Sequence, residues 1–167
     1  MPYKLAAPQA GMPALNDVST TRKWPTGYEA AIVDSERTLP RGGTAIYALC
    51  GGANVVVGSL VELDPAAGVV LAPATGGVGG VAVSLNIVAS GSYAWFQVEG
   101  AAAVKAPNAA VIGAEVFMLA ATAGSVDDAA VAGEQILNAE FLTSTGTPST
   151  GLAEIAINRP FHQGQIT

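Results

Sequence analysis

The side chains able to do chemistry are few and scattered. One histidine, His162, and one cysteine, Cys50, occur in 167 residues. Zinc takes several Cys, His or acidic ligands at set spacings, and neither a His-rich nor a Cys-rich centre can be built from one of each. A Ser-His-Asp relay would have to recruit His162, yet no G-x-S-x-G turn presents a serine. His162 sits in the polar stretch Pro160-Phe-His-Gln-Gly-Gln and reads as an exposed tail residue. Cys50 ends the apolar run Ala48-Leu-Cys-Gly. A reactive thiol needs a cation or a helix N-terminus beside it, so Cys50 reads as a small buried hydrophobe.

Three further patterns have a chemical reading and a plain one. Gly77-Val-Gly-Gly-Val-Ala82 fits G-x-G-x-x-A, with Glu99 placed 20 residues after Gly79. A dinucleotide needs a helix to start at such a loop, so that its amides hold the pyrophosphate. Val81-Ala-Val-Ser-Leu follows instead, which is strand material, and the glycines read as a loop. Asp64 and the pair Asp127-Asp128 lack the D-x-D-x-D-G spacing of a calcium loop and read as solvated turn acids. Trp95-Phe96 alternates along a strand, one ring inward and one outward. The outward ring would mark a sugar or protein contact, or pack under a loop. No G-x-x-x-x-G-K occurs. The expectation is a chain that is not an enzyme and takes no cofactor or metal.

The elements that carry these residues are β-strands. Short apolar runs at 44–50 (TAIYALC), 54–63, 69–72, 81–85, 93–99, 115–119, 135–143 and 152–158 are punctuated by Gly, Pro, Asn or Ser. Residues 101–106 can extend the fifth. Close spacing of strands without helical stretches between them predicts an all-β barrel or sandwich of about eight short strands, covering 44–160, with a tail at 161–167. Two Ala-rich stretches, 120–123 and 129–132, are long enough only for helical turns.

An internal echo runs through the domain. Gly58-Ser-Leu-Val-Glu-Leu, followed by Ala67-Gly68-Val69, resembles Gly113-Ala-Glu-Val-Phe-Met, followed by Ala123-Gly124-Ser125-Val126. Each copy is a glycine, a strand, an Ala-Gly turn and a return strand, then two more strands. A duplicated four-strand unit closing into one barrel would remove the sheet edges.

Residues 1–43 differ from the rest. They hold five of the ten prolines and read as an extended arm, because proline lacks an N–H and fixes φ. Tyr3, Leu5, Trp24, Tyr28 and Ile32 are its apolar anchors, which a solvated tail would not spend on water. Charge is divided the same way. Residues 1–41 carry Lys4, Arg22, Lys23, Arg37 and Arg41 against four acids; the remainder carries two cations against nine acids, within a net charge of −6.

Composition narrows the function classes. Half the residues are hydrophobic and 12% are charged, about half the usual share of roughly 25%. Disordered chains and coiled coils have the reverse balance. No basic face can be built from 42–167, so nucleic acid is not an expected partner. An anionic membrane surface is disfavoured by the same count. The uncharged stretches 42–61 and 65–98 are broken by Gly, Asn, Ser or Pro and are not expected to span a bilayer. The N-terminus has no continuous apolar stretch of the signal-peptide kind.

Five segments together resemble a known family. These are Val57-Gly-Ser-Leu-Val-Glu-Leu, Gly79-Gly-Val-Ala-Val-Ser-Leu, Gly91-Ser-Tyr-Ala-Trp-Phe-Gln-Val-Glu-Gly, Val111-Ile-Gly-Ala-Glu-Val-Phe and Ala153-Glu-Ile-Ala-Ile-Asn-Arg-Pro. In strand order and glycine placement, residues 44–160 resemble the small head-decoration, or cement, proteins of tailed bacteriophages. The resemblance implies a structural virion protein made in the host cytoplasm. It would bind the outer surface of an assembled capsid through the major capsid protein, often as a homotrimer. Family members have no active site to carry over, and the arm has no clear counterpart in compact members. On this reading Tyr3, Arg22, Lys23, Trp24, Tyr28, Arg37 and Arg41 are the expected capsid or subunit contacts, aromatics and arginines being the usual interface anchors. A carbohydrate-binding or adhesive β-module, or a head-fibre or tail component, is the alternative.

Overall fold

A computed structural model describes residues 3–34 and 42–164. Every regular element among them is a strand: β1 (Tyr3–Leu5), β2 (Glu29–Asp34), β3 (Gly42–Leu49), β4 (Leu60–Asp64), β5 (Gly68–Leu71), β6 (Val81–Ser84), β7 (Tyr93–Lys105), β8 (Glu115–Met118), β9 (Val126–Asp127), β10 (Gln135–Phe141) and β11 (Leu152–His162). The all-β expectation holds. The Ala-rich stretches 120–123 and 129–132 form turns and loops rather than helices. β1 and β2 come from the proline-rich segment, which builds the sheet edge beside β3.

β7 organises the molecule. One of its edges pairs with β3 along most of that strand. The other edge is taken first by β6, at Phe96 and Gln97, and then by β11, from Glu99 to Lys105. The change of partner coincides with a bulge: Ala45 faces Gln97 but Thr44 faces Glu99, leaving Val98 as the extra residue. An extra residue in one strand of a pair bends it and raises its twist. The buried Gln97 side chain spans this point, donating from Nε2 to the carbonyls of Glu99 and Ala101, both at 3.0 Å. Gly100 follows with φ of 99°, and a Cβ there would lie 2.4 Å from the Gly42 carbonyl oxygen. A residue without a side chain is required at this crossing.

The internal echo is visible in the connectivity. β4–β7 are ordered 5-4-6-7 in the sheet, and β8–β11 are ordered 9-8-10-11. Matching turns launch β4 and β8: Ser59 N–H donates to Val56 O (3.0 Å) and Ala114 N–H to Val111 O (3.1 Å). The two hairpins meet at Gly124, which accepts from Leu60 N–H (2.9 Å) and donates to Ala72 O (2.8 Å).

The two units share one core, and the first unit has a further core of its own. β3, β7, β6, β4 and β5 curl around Val61, Val69, Ala82, Ala94, Phe96 and Val98. A parallel bridge between Cys50 and Val69 joins β3 to β5 and closes this curl. The second core gathers Val116, Met118, Ile136, Phe141 and Ile155, together with Leu60, Val81, Val83 and Val104 of the first unit. β6 is the wall between them: Val81 and Val83 face one core and Ala82 the other. A strand alternates its side chains, so a strand buried on both faces must be apolar throughout.

Candidate functional site

Two places draw the chemically able side chains together. The first is the outer face of the first unit, where residues 3–34 fold back. Trp95 does not point outward into solvent. It is fully buried under the arm and donates from Nε1 to Pro13 O at 3.1 Å. Tyr47 lies beside it, ring centroids 5.3 Å apart, with Leu15, Leu85 and Ile32 completing a third core. Phe96, on the opposite face, enters the first core. Burying each such ring stabilises the fold by about 1.5–3 kcal/mol.

The expected contact residues divide on this face. Tyr3 is half-buried in β1, and its hydroxyl donates to the Ala101 carbonyl. Trp24 and Tyr28 are half-buried against the third core and meet edge to face, centroids 5.7 Å apart. The Tyr28 hydroxyl accepts from Gln9 Nε2 at 2.8 Å, while the Trp24 indole N–H is buried without a partner. Lys23 is exposed and paired with Asp17 at 2.7 Å. Arg22 is exposed and makes no ion pair among the described residues. It lines an open groove of about 480 Å³ together with Ile46, Leu49, Leu63, Asp64 and Tyr93. Asp64 is not a free acid: its Oδ1 accepts from Ala66 and Ala67 N–H, which hold its carboxyl below the usual range. Arg37 and Arg41 lie outside the described residues.

The second place is a buried cluster around His162. His162 is not an exposed tail residue: it ends β11, and its side chain is completely buried. Its Nε2 lies 3.2 Å from Glu62 Oε1 of β4. Neither ring nitrogen has a hydrogen-bond partner, because the close approach to Glu62 is not aligned for one. Glu134, in the turn before β10, is buried beside them. Both carboxylates hold the glycine loop that looked like a nucleotide fingerprint. Glu134 Oε1 accepts from Gly76 N–H at 2.8 Å and Glu62 Oε1 from Val78 N–H at 2.7 Å. The loop leads into β6, not into a helix. Burial pushes the His162 imidazole below its ordinary value, against the pull of Glu62 and Glu134. Sequence pattern missed this cluster because its members lie far apart in the chain and meet only through β-pairing. The signal available was the length of apolar alternation running from Leu152 through Ile157 toward His162.

Two other assignments are corrected. Asp127 is buried rather than solvated, accepting from Asn108 Nδ2 at 2.7 Å and from Asp128 N–H at 2.9 Å. Asp128 is half-buried and accepts from Val111 N–H at 2.9 Å. Both fasten the loop between β7 and β8. Cys50 is buried as expected, and burial pushes its thiol up. Among the described residues, no three acidic, Cys or His side chains are grouped to hold a metal ion. No helix among them is long and apolar enough to cross a membrane.

Comparison with protein-family models, with curated proteins and with solved structures returned no match.

Proposed function

We propose that this chain is a structural virion protein that binds the outer surface of an assembled phage capsid and stabilises it, acting as a homo-oligomer, with a trimer favoured. The observation that carries the reading is the face built by residues 3–34. Among the described residues it combines an arginine without an ion pair, Arg22, with an indole N–H left unsatisfied at Trp24 and an apolar groove beside them. Half-buried aromatics next to arginine are the composition of protein interfaces rather than of catalytic clefts. The arm is already ordered on its own sheet, so docking through it costs little further ordering entropy. The major capsid protein is the partner, and an acidic surface on it would complement Arg22. Trp95, buried under the arm, offers no platform for a sugar ring.

Quantitative mass spectrometry of purified particles tests the reading. A copy number in simple ratio to the major shell protein supports decoration. A few copies per particle would make the chain a tail or head-fibre part, and absence would end the virion reading. Arg22→Glu is the cleaner probe of the face than Trp24→Ala, because Trp24 also holds the arm in place. We expect it to weaken particle binding about tenfold or more while leaving the fold intact.

A further inference from the structure

We propose that His162, Glu62 and Glu134 form a proton-operated latch, in which proton uptake by His162 releases the glycine strap 76–80 from the joint between the two four-strand units. The latch is independent of the capsid reading. Its parts come from both units: Glu62 from β4 of the first, Glu134 and His162 from the second. The strap crosses between them, since Gly80 bridges to Phe161 and His162 N–H donates to Gly79 O at 3.0 Å.

Geometry makes the neutral ring stable and the charged ring costly. Gly77 lies so close over the imidazole that a Cβ would stand 2.4 Å from Cε1. No water can reach the ring while the strap is down. Two carboxylates face the ring, one from β4 and one from the turn before β10. The strap carries no titratable group, nor do Phe161 and Gln163 beside His162, and Arg159 on β11 is taken up by Glu29. Both carboxylates are already committed to the strap, at Gly76 and Val78 N–H. Glu134 Oε2 is buried without a partner. A proton taken from solvent turns both ring nitrogens into donors. Nε2–H then claims Glu62 Oε1, the atom that holds Val78, and the second N–H claims the free oxygen of Glu134. Val78 loses its acceptor while Gly76 stays on Glu134 Oε1, Gly77 lifts, and water solvates the imidazolium. Burial dominates the ring's titration, so the step lies on the acid side of the ordinary histidine value of 6.5.

His162 is the single histidine, so its imidazole resonances are unambiguous in the full-length chain. The experiment follows them by NMR from about pH 8 to about pH 5, with amide hydrogen exchange read in parallel. We expect protection at Val78, corrected for intrinsic rates, to fall about tenfold in step with the imidazole titration. Core amides in β7, such as Phe96 and Ala102, should keep theirs. H162Q should remove the step, and G77A should leave the strap unprotected at every pH. Strap protection that ignores the imidazole titration overturns the latch. So does loss of strap and core protection together, which would be global unfolding. A step that survives in H162Q would assign the proton to a carboxylate and overturn it too. If H162Q does not fold, the contrast between strap and core amides in the unmodified chain still decides.

Discussion

The two four-strand units share a connectivity and differ in how many of their faces are covered. β6, of the first unit, is buried on both faces and reads VAVS with no exposed position. β10, its counterpart in the second, is interrupted by a bulge at Asn138 (φ 60°), with Ile136 and Phe141 inward and Asn138 and Glu140 in solvent. The first unit also carries the arm over its outer face, while the second leaves an open groove of about 460 Å³ along β10 and β11. One chain path therefore supports an interior wall in one place and a solvent-facing sheet in the other. Strand pairing sets the path, and the surroundings set the composition.

Placing a charge in each unit is the harshest way to break this comparison. Ala82→Asp puts a carboxylate between two cores with nothing to pair it, and we expect no folded protein by circular dichroism. Asn138→Asp in β10 should shift stability by less than about 0.5 kcal/mol. Equal effects would mean that the two strands are not differently covered.

Emptying each core comes next. Phe96→Ala and Phe141→Ala should each cost about 3–5 kcal/mol in chemical denaturation. Because β6 and β7 serve both cores, either change should lower one cooperative transition rather than split it. Two separated transitions would show that the units are independent domains. At the shared crossing, Gly100→Ala must force a left-handed φ and a contact with the Gly42 backbone. A cost of about 1–3 kcal/mol is expected, again without separating the units.

The two links between regions respond to pH in separate windows. His162 is held below its ordinary value, so the unfolded chain takes its proton first as pH falls. Stability from this group is complete above about pH 6.5 and declines toward the lower folded-state value. Thermal melts of the parent chain and H162Q should diverge in slope through that range. Glu29 on β2 is paired to Arg159 on β11, at 2.6 and 2.8 Å, and the pairing lowers the Glu29 carboxyl. Its contribution is present above the ordinary glutamate value of 4.5 and is lost as pH falls through the lower folded value. The pair is exposed and screened, so Arg159→Ala should have the smallest effect of the series and none at high salt.

What was legible in the sequence was local. The apolar runs, the glycine turns before β4 and β8 and the echo of one unit in the other follow from side-chain alternation and turn chemistry, which need only near neighbours. Reading residues 54–63 as one strand failed for a related reason: the apolar Val55-Val-Val57 looks like strand, but the Val56–Ser59 turn ends there and β4 starts at Leu60. The arm shows the limit of that reading. Its prolines predict an extended segment without naming a partner; among the described residues Pro8, Pro13 and Pro25 lie outside the strands, and β1 and β2 pair onto the edge of β3.

Composition and periodicity by themselves determined an all-β chain, the positions of most of its strands and a repeated unit. They could do so because each of those depends on residues close together in the chain. Only the tertiary structure decided that β6 faces two cores, that Trp95 is roofed by residues 3–34, and that His162 is sealed between Glu62 and Glu134. Burial and charge pairing depend on which distant surfaces meet, and the same short strand is interior or exposed according to what is laid across it.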